Sequence, residues 1–174
     1  MLLITFFLTV IFDLTVAIEV GLLIACVLFM KRVMETTDIS VIKNEIDPNN
    51  ESDLEVHEEH LMVPEGVEVY EINGPYFFGI ATKFEEIMSE LGDRPKVRII
   101  RMRKVPFIDS TGIHNLTNLC EMSKKENIHI VLSGVNEKVH KVLEKAGFYD
   151  LLGEDNICPN INVALEKAKA IVEK

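Results

Sequence analysis

The first thirty residues contain no lysine and no arginine, and their only charged side chains are Asp13 and Glu19. Cysteine is scarce throughout. Cys26, Cys120 and Cys158 lie far apart, with no Cys-x-x-Cys pair. That spacing argues against a disulfide framework and a zinc knuckle, and it suits a reducing cytoplasm. Eighteen Lys and Arg stand against 28 Asp and Glu, a formal net charge of -10. Such a balance disfavours nucleic acid as a partner, because phosphate backbones reward clusters of Lys and Arg. No glycine-rich phosphate loop of the kinase or dinucleotide-binding kind occurs. Nor is there a nucleophile elbow or an oxyanion-hole glycine run.

What is present divides in two. The 174 residues allow one domain of ordinary size plus an appendage. Leu14 to Met30 is an uninterrupted apolar run apart from Glu19, close to the roughly 20 residues of one membrane crossing. Met1 to Phe12 is a second, shorter apolar run, and Asp13 separates the two. A secretory signal peptide carries its cations before the apolar core and a small-residue cleavage site after it. Here Lys31 and Arg32 follow the core, and Val33-Met34 offers no such site. The pattern predicts a helical hairpin with a truncated first helix, bent near Asp13-Leu14-Thr15, with Lys31-Arg32 marking the cytoplasmic end. Asp13 fits an interfacial turn. Glu19 is deeper, and a carboxylate at that depth is costly unless it faces protein or water.

Residues 35–62 read as an acidic linker: from Glu35 to Glu59 the one cation is Lys43, and Asp47-Pro48-Asn49-Asn50 is a turn signal. Ile39 to Ile42 has the composition of a short strand. His57 and His60 have no further ligand pair at metal-site spacing, so a solvated linker describes them better. Residues 63–174 alternate between strand and helix patterns. Strands are expected at Val67–Ile72, Val97–Met102 and Ile128–Leu132, with a short extended piece at Phe148–Leu152. Helices are expected at Phe77–Leu91, Ser110–Asn127, Asn136–Ala146 and Asn162–Val172. This order is that of an α/β layer with helices packed on a sheet.

The most specific stretch is Val105-Pro106-Phe107-Ile108-Asp109-Ser110-Thr111-Gly112-Ile113. It runs from a strand through a turn into a helix, with Asp109 or Ser110 placed to cap that helix. Ser110 then sits in the first turn, where free N–H groups and the positive dipole end would hold a phosphate, either bound or covalently attached. Gly112 permits close approach of another surface. A plain helix cap accounts for the same residues. A nucleophilic set of Ser110, His114 and Asp109 is sterically feasible, since His114 lies about one helical turn after Ser110, but it lacks the supporting loop.

The run Asp109-Ser110-Thr111-Gly112, after a strand and before a helix, resembles the signature loop of STAS domains, the fold of bacterial anti-sigma-factor antagonists. The element order from Val63 to Lys174 is similar, including Ala146-Gly147-Phe148. Upstream, Phe12-Asp13-Leu14-Thr15-Val16-Ala17-Ile18-Glu19-Val20-Gly21 resembles the last transmembrane hairpin of SulP-type anion permeases, in which a STAS domain follows the final membrane helix. The resemblance implies three parts: residues 1–34 as the end of a transmembrane domain, 35–62 as the linker, and 63–174 as a cytoplasmic STAS domain. It implies a carrier for anions such as sulfate or bicarbonate in the inner membrane. Its substrate site would lie in helices that this sequence does not contain. The STAS domain would act as a regulatory or protein-interaction module and not as an enzyme. Partners so implied are the membrane, the rest of the transporter domain, a cytoplasmic protein or a nucleotide, and a second copy; no cofactor and no metal is implied. In free-standing STAS proteins, the serine at the place of Ser110 is phosphorylated by a partner kinase. A phospho-switched signalling module is therefore the alternative reading.

Overall fold

The computed structural model describes residues 2–11, 13–35, 38–42, 45–46, 61–77, 84, 87 and 94–173. These form two compact units, Met1–Thr36 and Thr37–Lys174.

The first unit is a pair of helices, α1 (Leu2–Ile11) and α2 (Leu14–Glu35). Asp13 turns the chain between them. Its carboxylate accepts from the Leu14 N–H at 2.7 Å and its carbonyl from the Ala17 N–H at 3.1 Å. A carboxylate at a helix N-terminus also complements the dipole, so Asp13 is explained by the turn. The deepest contact of α2 is Ala17, 3% exposed, with Val20, Gly21 and Ile24 half-buried at helical spacing. Small side chains let two helices approach closely without a hydrophobic drive. Elsewhere α2 exposes Leu22, Leu23, Val27 and Phe29. Leu14–Arg32, 19 residues of mean hydropathy 2.2, is long and apolar enough to cross a membrane. The helix continues past the apolar run to Glu35, so Lys31 and Arg32 lie within it.

The second unit is built on a five-stranded sheet of order β1-β4-β5-β6-β7. Its strands are β1 (Asp38–Ile42), β4 (Val67–Asn73), β5 (Val97–Arg101), β6 (His129–Ser133) and β7 (Ile157–Cys158). β1 pairs antiparallel with β4; the other neighbours are parallel. β2 (Glu45–Ile46) and β3 (Leu61–Met62) form a separate antiparallel pair. The helices are α3 (Ser110–Lys125), α4 (Glu137–Lys145), α5 (Phe148–Leu152) and α6 (Ile161–Val172). Strand alternation divides the core. Tyr70, Ile72, Ile100, Met102, Ile130 and Leu132 pack with Leu116, Leu119, Val139 and Leu143 of α3 and α4. Val67, Val69, Val97, Ile99 and Val131 pack with Ile161, Ala164, Leu165 and Ala168 of α6. A parallel sheet covered on both faces needs strands apolar on both sides, and all five residues of β5 are buried.

Two expectations change. Phe148–Leu152 is a helix and not an extended piece. Gly147, at φ 68°, redirects the chain in a left-handed conformation that glycine adopts without a Cβ clash. Helical spacing then buries Phe148 and Tyr149 together, with the Tyr149 ring edge-on to His140 at 5.0 Å. The short strand expected at Ile39–Ile42 forms as Asp38–Ile42, but it joins the main sheet as its edge strand where a linker was expected, with Ile39 buried opposite Ile72. Of the helix expected at Phe77–Leu91, Phe84 and Ile87 are helical and Phe77 is not; the other positions lie outside the described residues, as do His57 and His60.

Candidate functional site

The loops following β4, β5 and β6 meet at the carboxyl ends of the parallel strands, where open α/β sheets place their ligands. Backbone hydrogen bonds fix the loop after β5. Met102 N–H donates to the Ser133 carbonyl at 2.8 Å, and Val105 N–H closes a turn on Met102 at 3.0 Å. Tyr76, after β4, donates to the Phe107 carbonyl at 3.0 Å and accepts from Asp109 N–H at 3.3 Å, in a parallel bridge with Ile108. The Asn136 amide donates to the Val105 carbonyl, while its side-chain oxygen caps α4 by accepting from Val139 N–H at 3.0 Å.

Asp109 is the N-cap of α3. Its carboxylate accepts from Gly112 N–H at 2.6 Å, and its carbonyl accepts from Ile113 N–H at 2.9 Å. Ser110 and Thr111 therefore open the helix and are exposed, whereas Gly112 is buried. A Cβ on Gly112 would stand 2.3 Å from the Tyr76 carbonyl oxygen and 2.8 Å from its ring. Here glycine is required for close approach and not for an unusual φ. Pro106 and Phe107 are exposed in the loop that precedes the helix, and Phe107 stacks on the buried Phe77 with centroids 6.3 Å apart. The structure thus brings Asp109, Ser110, Thr111 and Gly112 together on one held turn.

A phosphate on Ser110 would meet the N-terminal N–H groups of α3 and its dipole. It would also meet the Asp109 carboxylate, which already occupies the Gly112 donor, so a modified Ser110 would compete with its own cap. The nucleophilic set is not assembled: His114 Nε2 turns to Asn118 Nδ2 at 3.2 Å, and Asp109 to Gly112. Cys120, on the buried face of α3, has its thiol pushed up to about 12, first by burial and then by Glu121, which leaves almost no thiolate at neutral pH. Burial likewise raises the Tyr76 phenol. Sequence reasoning missed the support given by Tyr76 and Asn136, since only the fold brings both onto the loop. Of the two carboxylates in the apolar segment, Asp13 lies in the helix–helix turn and Glu19 is exposed on α2.

A mixed sheet with helices on both faces, carrying a capped Asp-Ser-Thr-Gly turn after a central strand, is the architecture of a STAS domain. The chain belongs to that family: residues 60–164 match the STAS domain. More particularly, it is similar to the STAS domains of sulfate transporters. It is 43% identical to a sulfate transporter family protein from Wolinella succinogenes, covering 66% of this chain and 93% of that one at a TM-score of 0.62. It is 29% identical over 166 residues to Sulfate transporter 1.2 of Arabidopsis thaliana, covering 87% of this chain and 25% of the relative. The murine Slc26a9 anion transporter shares the fold over 97% of this chain and 28% of its own, at 16% identity and a TM-score of 0.69. That likeness of fold extends over the helical pair. Anti-sigma-factor antagonists match by fold alone. The chain spans about a quarter of the length of the curated relatives it matches.

Proposed function

We propose that this chain is the C-terminal part of a secondary anion transporter of the SulP kind. Residues 1–34 close its transmembrane domain and the unit from Asp38 onward, through residues 63–174, is a cytoplasmic STAS module. The module regulates transport or holds a partner through the Asp109–Gly112 turn, and it has no catalytic role of its own. The partner is a cytoplasmic protein, a nucleotide or a second copy. The observation that carries this reading is a helix whose apolar span closes at Lys31-Arg32, upstream of a STAS domain, the order whose fold recurs in an anion transporter. The Lys31-Arg32 pair, after thirty residues without a cation, supports a cytoplasmic position for that end. The exposed Ser110 supports a modification or docking surface within the same module.

The test uses the complete transporter in cells, with radiolabelled sulfate as the probe. Removal of residues 63–174 is expected to reduce uptake, delivery to the membrane, or both. Ser110→Asp is expected to shift uptake away from the wild-type and Ser110→Ala values, because a second carboxylate beside Asp109 disturbs the cap. Unchanged uptake and abundance on removal of the module would contradict the regulatory reading. Equal uptake by both serine variants would exclude Ser110 as its control point.

A further inference from the structure

Glu19 is the one charged side chain between Leu14 and Met30. It follows Ala17, the residue that α2 buries deepest against α1, by two positions. At about 100° per residue it projects about 200° round the helix, away from α1. Thr15 and Cys26 fall on the same side and are exposed with it. The face opposite α1 is therefore not uniformly oily: it carries a hydroxyl, a carboxyl and a thiol among leucines.

We propose that this face of α2 packs against another membrane helix of the same transporter, one that presents a hydrogen-bond donor to the Glu19 carboxyl. The inference rests on reading residues 1–34 as membrane-embedded. Three occupants compete for the face, and charge decides among them. Lipid offers a carboxyl no donor, and Glu19 stands five residues, about 8 Å, inside Leu14, beyond the reach of its own short side chain to the interface. A second copy meeting the same face would set Glu19 against Glu19, and residues 1–30 bring no Lys or Arg to relieve the repulsion. The remaining occupant is a helix from the rest of the transporter. Relatives about four times as long as this chain supply many residues from which it can come. Asp13 needs no such partner, because the turn before α2 already uses its carboxylate.

Two measurements on the complete transporter test this. With p-benzoylphenylalanine at position 26, irradiation of membranes is expected to give a crosslink within one polypeptide, to a peptide outside residues 1–34. A lipid adduct or a covalent dimer would overturn the proposal. In parallel, Glu19→Leu is expected to lower membrane abundance about tenfold, the scale of one buried donor left unsatisfied, whereas Glu19→Gln, which keeps a hydrogen-bonding group, stays near wild type. Glu19→Leu at or above wild-type abundance would mean that the face meets lipid. Alkaline carbonate washing separates the two levels of failure. Protein stripped from the membrane removes the membrane reading and this inference together, whereas retained protein with a lipid adduct removes the inference alone.

Discussion

Alanine in place of Gly112 is expected to lower the melting temperature of the Thr37–Lys174 unit by about 10 °C. The new Cβ would lie 2.3 Å from the Tyr76 carbonyl oxygen and 2.9 Å from the Ile108 side chain. The carbonyl cannot step aside cheaply, because that oxygen accepts from Asp109 N–H and the same residue donates to Phe107. Relief requires α3 to lift off the loop, which also breaks the Asp109 cap. Overpacking of this kind costs about 3 kcal/mol, and a domain of this size loses roughly 3–4 °C per kcal/mol. Ser110→Ala is the control: its side chain is exposed, so its effect is expected to stay within about 0.5 kcal/mol. Thermal unfolding followed by circular dichroism distinguishes the two. A Gly112→Ala protein as stable as wild type would show that the Tyr76–Gly112 contact does not hold the turn.

Arg98→Met is expected to cost about 3 kcal/mol in urea unfolding, the scale of a buried charge left without its partner. Arg98 is 5% exposed on the central strand, opposite the equally hidden Glu68 across the β4–β5 ladder. Its guanidinium lies over the Tyr70 ring, 5.3 Å from the centroid, and donates to Ser123 Oγ at 3.1 Å. Tyr70 in turn donates its hydroxyl to Glu68 at 2.8 Å. Burial raises the Tyr70 phenol, and Arg98 opposes that rise. The group is incompletely satisfied: Arg98 Nε has no hydrogen-bond partner among the described residues. Adding Glu68→Gln to Arg98→Met is therefore expected to recover more than half of the loss, because it also removes the buried carboxylate that stands opposite Arg98 across the ladder. A double variant as unstable as the sum of the two single ones would show that Glu68 and Arg98 do not act on each other.

Much of this structure was legible in residue patterns, for reasons that differ by element. Val67–Asn73, Val97–Arg101 and His129–Ser133 are β-branched runs closed by turns or glycine, and α3, α4 and α6 show apolar residues at helical spacing behind a side-chain cap. The Asp109 cap could be read because an Asx residue before a helix has one efficient use for its carboxylate. Short elements were harder. Phe148-Tyr149-Asp150-Leu151-Leu152 is too brief to establish a period, and its aromatics suit a strand as well as a helix. β7, two residues long, forms because Ile157 and Cys158 meet Leu132 and Ser133, a contact without a local signal. Asp38–Ile42 lay in an acidic stretch whose composition masked its pairing with β4. Within the candidate site, the Asp109–Gly112 turn could be singled out from its residue types, whereas Tyr76 and Asn136 could not. Each acts from a different strand end, Tyr76 on Asp109 and Asn136 on Val105, and only tertiary structure joins them.

The link between the helix and the STAS domain is tested most directly by topology. A specific protease site inserted between Asn49 and Asn50 of the complete protein should be cut in inside-out vesicles and protected in intact cells. After cutting, the fragment up to Asn49, which carries β1 with the helices, should stay with alkali-washed membranes, while the fragment from Asn50 onward is released once alkali has broken the β1–β4 pairing. Cleavage from outside the cell, or loss of residues 1–34 to the alkaline supernatant, would contradict a membrane helix that delivers a STAS domain to the cytoplasm.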